Sequence, residues 1–326
     1  MRYRNILLNG RLSIKVYLVG YENIGESIVF FVCEDNRIVY SGVVDSYEKE
    51  YNKTVEILKE NNVEKLDFIC WTHPDEDHSL GIDILLKEFT SADTKVIIPE
   101  SISGDEYAYN KRISETFSII EQNLKSKKKD TFAVKSASDN KILEYFTFDR
   151  GALGKEEFKI LSIAPNSEIV RKDDFNKSFK KNDYSIALII TLGHFTILLS
   201  GDIENKTIET LQWYSVPEII DYIKTPHHTS SSSNKLLKYI EDSSCEIACT
   251  TVYRNGSTNL PDSNIIDLYK GKAKNFYCVG KKQKDDDQCY GIFKIECDII
   301  EKKLYLNLEG NAIPIYESED NENIYL

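Results

Sequence analysis

Two hydrophobic periodicities alternate in the N-terminal part of the chain. The segments "SIKVYLVG", "SIVFFVC" and "RIVYSGVV" are short, rich in β-branched and aromatic residues, and separated by Gly, Asn and Asp, which predicts strands. In "YEKEYNKTVEILKENNV" the apolar residues Tyr47, Tyr51, Val55 and Leu58 recur every three or four positions, which predicts a helix. The buried strand "KLDFICWT" follows. These segments therefore predict a β-α-β unit.

The rest of the chain continues the alternation. Helical spacing returns over 80–89 and 106–128, whereas "KVIIP" is a strand and 130–157 is polar and irregular, an insertion or a hairpin. From residue 158 the pattern predicts six further strands, with helices over 204–214 and 233–241. Because no repeat and no linker is evident, we predict one α/β domain over 1–326, with an insertion around 101–157 and a C-terminal extension after about 290.

Composition and charge narrow the class of protein. A sequence that is 41% hydrophobic and 29% charged is typical of a soluble globular protein. The net charge of −12 opposes non-specific binding to long nucleic acid. No apolar run is long enough to span a membrane, and the N-terminus reads as a strand rather than a signal peptide, so we expect a cytoplasmic protein without membrane contact. The seven scattered cysteines are expected to be buried free thiols.

A dense polar cluster interrupts the apolar pattern directly after a buried strand. In "FICWTHPDEDHSLG" two imidazoles and three carboxylates, those of His73, Asp75, Glu76, Asp77 and His78, lie within six residues. Loops at the carboxyl ends of strands in open α/β sheets converge on ligand sites. So many polar groups in one crevice require a compensating cation. Mixed imidazole and carboxylate donors suit zinc, manganese or iron.

The distribution of histidine supports a metal site over a solvated acidic loop. Acidic residues are common throughout this chain, but there are only five histidines. Four of them occur as two pairs, His73 with His78 and His227 with His228, and each pair follows an apolar strand-like segment. We therefore expect both pairs to reach one metal centre.

Three motifs together resemble the metallo-β-lactamase superfamily. "THPDEDHSLG" is similar to its H-x-H-x-D-H signature with Asp75 in place of the second histidine, a variant that resembles the lactamase-like domain of ComEC-type competence proteins. "NDYSIALIITLGHFTILLSGDIE" resembles the asparagine-serine strand and Gly-Asp turn of that domain, and "IKTPHHTSSSS" resembles its "HHGS" segment. The resemblance covers about residues 15 to 280.

The resemblance implies an αββα sandwich, with two mixed β-sheets flanked by helices and a dinuclear metal site at one edge. It implies that Asp202 bridges two divalent ions, zinc or manganese. Of the adjacent imidazoles, His227 is the expected ligand, whereas His228 is expected to act in catalysis by donating a proton, with Asp77 orienting the metal-bound hydroxide. The implied metal ligands are His73 and Asp75 for the first ion, Asp77, His78 and His227 for the second, and Asp202 for both.

The sequence departs from the family pattern in two places. Most members carry a further histidine for the first metal, and "LSIAPNSEIVRKDD" has none. His194 lies in an apparent hairpin, where we expect an exposed turn residue rather than a ligand. The first metal is therefore expected to be the weakly held one. The second departure is Thr229, which stands where the family has a glycine.

These features lead to three hypotheses of function. The first is a metal-dependent hydrolase that cleaves a phosphodiester in a nucleotide or nucleic acid, as the ComEC-like resemblance implies. The second is a hydrolase of a lactone, thioester or other carbonyl substrate, since a fold alone does not fix the substrate. The third is a metal-stabilised domain with little catalysis that binds a partner protein.

Overall fold

A computed structural model describes residues 4–8, 10–104, 110–126, 131–176, 180–212, 216–242, 244–282 and 289–316. The strands in these residues are β1 Arg4–Leu7, β2 Leu12–Tyr21, β3 Glu26–Glu34, β4 Arg37–Val44, β5 Phe68–Cys70, β6 Lys95–Pro99, β7 Ala133–Ala137, β8 Lys141–Asp149, β9 Lys155–Ala164, β10 Ala187–Leu192, β11 Phe195–Leu199, β12 Ile220–Lys224, β13 Cys245–Thr251, β14 Tyr253–Asn255, β15 Thr258–Leu260, β16 Ala273–Val279, β17 Tyr290–Asp298, β18 Lys303–Gly310 and β19 Ala312–Tyr316. The α-helices are α1 Lys53–Glu60, α2 Glu76–Ser79, α3 Ile82–Glu88, α4 Lys111–Lys125, α5 Ser167–Asn176, α6 Asn205–Ile208 and α7 Ser263–Tyr269. The 3-10 helices are Gly151–Leu153, Lys181–Tyr184, Pro226–Thr229 and Ser231–Tyr239.

Two large mixed sheets organise the described residues. The first has the strand order β18-β17-β2-β3-β4-β5-β6-β7, and the second has the order β1-β8-β9-β10-β11-β12-β13-β16-β19. In the first sheet the strands from β4 to β7 run parallel, and in the second the same holds from β11 through β12 and β13 to β16. The parallel half of each sheet brings several strand carboxyl ends to one edge.

The main hydrophobic core lies between the two sheets. It combines side chains of the first sheet, such as Phe30, with side chains of the second, such as Leu188. Aromatic contacts cross the interface, because the Tyr222 ring stacks on Phe293 at 5.8 Å and Tyr40 lies 5.1 Å from Phe158. The sheets therefore pack face to face.

Helices cover the outer face of each sheet. A second apolar cluster joins the first sheet to α1, α3 and α4, with Leu58, Leu85 and Ile113 buried in it. A third cluster joins the second sheet to α6, α7 and the 3-10 helix Ser231–Tyr239. The layer order is helix, sheet, sheet, helix, which confirms the predicted fold class.

Several predicted elements differ in extent. The helix predicted over 106–128 begins at Lys111, after 105–109, which lie outside the described residues together with 127–130. In the described part of 204–214 the predicted helix is one turn at Asn205–Ile208, and residues 213 and 214 lie outside the described residues. The helix predicted over 233–241 is the 3-10 helix Ser231–Tyr239. After residue 290, β17 and β18 extend the first sheet and β19 extends the second. Such differences reflect tertiary packing, which overrides local propensity.

The structure also bears on the cysteines, on membrane-spanning helices and on one glycine. The cysteines are free, and all except Cys289 are buried, as the sequence predicts. Among the described residues no helix is both long and apolar enough to span a bilayer. Gly201 follows β11 at a φ of +50°, where an added Cβ would lie 2.6 Å from the Ile186 carbonyl oxygen, so the turn into Asp202 requires glycine.

Candidate metal centre

The polar residues of the segment 73–78 lie at the edge of the sandwich where the carboxyl ends of the parallel strands of both sheets meet. The segment after β5 supplies His73 and Asp75, and the short helix α2 that Asp75 precedes carries Asp77 and His78. The turn after β11 supplies Asp202 from the opposite sheet. The two sheets thus place their ligand-type side chains against one another across the edge of the sandwich.

Four of these side chains form a tight, buried group. Atoms of Asp77, His78, Asp202 and His228 that could bind a metal all lie within 4.8 Å of one another. His78 Nε2 lies 3.3 Å from Asp77 Oδ2 and 3.4 Å from Asp202 Oδ2. His228 Nε2 lies 3.1 Å and 3.6 Å from the same two oxygens. We refer to these four residues as the four-donor set.

A second, sparser group shares one member of the four-donor set. His73 Nε2 lies 3.6 Å from Asp75 Oδ2 and 3.9 Å from Asp202 Oδ2. Asp202 Oδ2 therefore faces both groups, which is the position that a bridging carboxylate requires. We refer to His73, Asp75 and Asp202 as the three-donor set.

Hydrogen bonds on the far side of each ring fix which nitrogen faces the centre. Asp45 accepts from His78 Nδ1 at 2.8 Å. Thr72 Oγ1 donates to Asp45 at 2.6 Å, so it accepts from His73 Nδ1 at 3.0 Å. The third imidazole is held in the same way, since Thr251 Oγ1 donates to Glu26 at 2.5 Å and lies 2.8 Å from His228 Nδ1. Each Nδ1 then carries a proton, and each Nε2 faces the centre, where it presents a lone pair whenever the ring is neutral.

The residues present fit a divalent transition metal. In the neutral rings the Nε2 lone pairs of His73 and His78 face carboxylate oxygens at 3.3 to 3.9 Å, whereas His228 Nε2 lies within hydrogen-bonding distance of Asp77 Oδ2, at 3.1 Å. His73 Nε2 and His78 Nε2 are buried and make no hydrogen bond. Leaving such groups unpaired is costly, and a cation between them removes the cost. The buried cluster of histidine and aspartate can therefore bind a metal ion, with imidazole and carboxylate donors that suit zinc, manganese or iron.

The charges of the cluster are strongly coupled. Burial by itself would raise the pKa of Asp202, but His78, His228 and Lys224 hold that pKa well below its usual range. Burial would lower the pKa of His78, but Asp77, Asp202 and Glu26 raise it well above the usual value. When no metal is bound, a proton on His78 thus provides part of the positive charge that the carboxylates require.

The two adjacent histidines occupy different positions from those expected. His228 is buried and belongs to the four-donor set, whereas His227 is 24% exposed at its side chain and is not part of that set. His227 Nδ1 lies 3.0 Å from Ser232 Oγ and 3.2 Å from Glu204 Oε1. The structure thus places His228 within the cluster and His227 at its rim, whereas the resemblance implied that His227 is the ligand.

The backbone explains why neighbouring imidazoles diverge. His227, His228 and Thr229 have φ values of +46°, +50° and +62°, a left-handed run that is unusual for residues with a Cβ. Thr229 Oγ1 lies 2.7 Å from Thr225 Oγ1 and 2.8 Å from Thr250 Oγ1, which anchors the strained turn. A glycine at position 229 would adopt this conformation without strain, so Thr229 depends on these hydrogen bonds to keep it.

Three buried charged residues near the metal centre were not identified from the sequence. Asp45 follows β4, Glu26 opens β3, and Lys224 ends β12. Lys224 Nζ is fully buried, 2.7 Å from Glu26 Oε1 and 3.6 Å from Asp202 Oδ1. Each is a charged residue at the end of an apolar strand, a placement that by itself does not distinguish a buried charge from a solvated one.

Among the described residues, neither His194 nor an acidic side chain of the segment that lacks the family histidine belongs to the four-donor set. His194 is exposed in the turn between β10 and β11, as predicted. In the segment that lacks the family histidine, Asp173 contacts Lys206 at 3.3 Å, and beyond it Asn182 donates to Glu204 at 3.2 Å. Lys181 Nζ lies 2.5 Å from Asp75 Oδ1.

Comparisons with known proteins give distant structural likenesses. No protein-family model and no curated protein matches this sequence. Similar solved structures include a diphosphatase from the PhnP family, at 10% identity and a TM-score of 0.41, covering 81% of this chain and 85% of that one. Zn²⁺-bound PqqB from Methylobacterium extorquens is 10% identical with a TM-score of 0.38, covering 79% and 78%. A CmlA β-hydroxylase mutant is 13% identical with a TM-score of 0.36, covering 68% and 38%.

Proposed function

We propose that this chain is a metal-dependent hydrolase that cleaves a phosphodiester. The observation that carries the proposal is the arrangement of imidazole lone pairs against the carboxylates of Asp77 and Asp202 in a buried crevice. A group of acceptors with this geometry is stable only around cations or protons. The hydrogen bonds that orient the rings from outside pre-organise the lone pairs for metal binding.

A divalent ion bound here would supply a Lewis acid and lower the pKa of a water molecule towards neutrality. The residues of this chain would hold the reactants around it. We expect Asp77, buried beside His78 and His228, to orient the attacking water through its carboxylate. We expect His227, partly exposed at the rim beside Glu204, to contact the substrate.

A nucleotide or another small phosphodiester is the substrate that we favour. This choice follows from the ComEC-like motifs together with the net charge of −12, which disfavours a long polyanion. A carbonyl substrate and a binding function with little catalysis remain the alternatives, and we extend the proposal to neither a membrane nor a defined protein partner.

Paired assays test the proposal. Purified protein would be loaded with Mn²⁺ or Zn²⁺ and offered bis-p-nitrophenyl phosphate and p-nitrophenyl acetate. We expect turnover of the phosphodiester, loss of that turnover in His73→Ala, and retention in His194→Ala, which removes an exposed imidazole from a distant turn. Hydrolysis of the acetate alone would support the carbonyl alternative. Absence of turnover with both substrates and both metals would support a binding function.

A further inference from the structure

One lysine shares a carboxylate with the three-donor set. Lys181 Nζ lies 2.5 Å from Asp75 Oδ1, while the other oxygen of the same carboxylate, Oδ2, lies 3.6 Å from His73 Nε2. The Lys181 ammonium group and a metal ion at the three-donor set would therefore both interact with the negative charge of the same aspartate, Asp75. Two cations so close to one carboxylate repel each other.

The other carboxylate of the three-donor set is also shared with a lysine. Asp202 Oδ1 lies 3.6 Å from the buried ammonium of Lys224. In the four-donor set, by contrast, Asp77 lies 3.3 Å from His78 Nε2 and 3.1 Å from His228 Nε2, which are neutral when a metal is bound. Because Asp202 belongs to both sets, Lys224 affects both, and the difference lies in the other carboxylate: Asp75 pairs with Lys181, whereas Asp77 contacts imidazoles. The three-donor set also has fewer donors.

The loop that carries Lys181 is fixed at several points. Ser185 Oγ accepts a hydrogen bond from the Asp202 backbone N–H at 2.9 Å. Asp183 is buried and lies 2.6 Å from Lys206 Nζ. Asp183 belongs to the 3-10 helix Lys181–Tyr184 and Ser185 follows it directly, so these contacts hold the C-terminal end of the helix beside the site. Lys181, at the start of the same helix, is thereby positioned to pair with Asp75.

We propose that Lys181 acts as a built-in competitor for the second metal ion. The chain then holds one ion firmly in the four-donor set, and a second ion enters the three-donor set only weakly because the Lys181 ammonium already offsets the charge of Asp75. This inference rests on the metal centre proposed above. Lys181 is a positioning residue in this role, because it acts through Asp75.

Metal stoichiometry measured with native mass spectrometry and equilibrium dialysis against Mn²⁺ tests the inference. In wild-type protein we expect one tightly bound ion per chain. Lys181→Gln should bind two, with affinity for the second ion increased on the order of tenfold or more. Lys180→Gln is the matched control, since it removes an exposed lysine from the adjacent position and should behave as wild type. The double variant Asp75→Asn with Lys181→Gln should return to one ion.

Each other result overturns the inference. Two tightly held ions in wild-type protein would contradict the competition while leaving the proposed metal centre intact. An unchanged or weaker second ion in Lys181→Gln would show that Lys181 supports Asp75 as a ligand. Failure of wild-type protein to bind any Mn²⁺ or Zn²⁺ would instead remove the proposed function, and the inference with it.

Discussion

Replacing Lys224 with methionine should strongly destabilise the metal-free protein. The Lys224 ammonium is fully buried, 2.7 Å from Glu26 Oε1 and 3.6 Å from Asp202 Oδ1. With an effective dielectric constant near 20, these separations correspond to gross attractions of about 6 and about 5 kcal/mol. Desolvation of the three groups offsets most of that attraction. Removal of the lysine, however, leaves buried carboxylates without their cation, which typically costs about 3 to 5 kcal/mol.

Urea unfolding followed by circular dichroism, with and without a chelator, measures this cost. We expect Lys224→Met to lower the free energy of unfolding by about 3 to 5 kcal/mol in chelator. Saturating metal should restore part of the loss, because the ion provides positive charge beside Asp202 and binds only the folded state. The combination of Glu26→Gln with Lys224→Met should be more stable than Lys224→Met alone, since it removes the orphaned carboxylate.

A surface lysine provides the control for this experiment. Lys235 pairs with Glu209, and both side chains are about half exposed, so Lys235→Met should change stability by less than about 1 kcal/mol. A loss of less than about 1 kcal/mol in Lys224→Met as well would refute the reasoning that the buried lysine holds these carboxylates in place.

Three further predictions concern the four-donor set. Asp202→Asn should reduce turnover by on the order of a hundredfold with little change in the circular dichroism spectrum, and normal turnover at normal metal content would contradict its bridging role. His228→Ala should lose bound metal in plasma mass spectrometry whereas His227→Ala should retain it; the opposite result would restore the order inferred from sequence. Metal affinity should fall as pH falls, because the ion displaces a proton from His78, whose pKa is raised by Asp77 and Asp202 once the opposing effect of burial is overcome. Calorimetry in buffers of different ionisation enthalpy detects that released proton, and pH-independent affinity between neutral and mildly acidic conditions would contradict it.

Much of the site was predictable because its residues carry local signals. A run such as "THPDEDH" after a buried strand stands out from its surroundings, and the turn "SGD" ends another strand. The strand ends converge because both sheets have parallel halves that meet at one edge. Periodicity predicted the α/β class, the polar runs at strand ends predicted the position of the site, and the two-sheet layering was an expectation from the family resemblance.

Glu26 and Lys224 were not predictable in the same way. They are distant in sequence and meet only because β3 begins, and β12 ends, at the same edge of the sandwich. A single charged residue at a strand end is ordinarily solvated, and nothing in its neighbours in the chain reveals that it is buried. Pairing such residues requires knowledge of how the two sheets face each other.

The choice between His227 and His228 shows a different limit. Two adjacent residues in a regular strand point to opposite sides, so a sequence pattern identifies the pair but not the inward member. Here the turn is not regular, because it contains three successive left-handed residues and ends at Thr229. Hydrogen bonds from Thr229 to Thr225 and Thr250 anchor this turn. That conformation brings His228 into the cluster and leaves His227 beside Glu204. Because strained backbone persists only where the surrounding contacts impose it, the orientation of the two imidazoles is set by Thr225 and Thr250, which no pattern local to His227 and His228 describes.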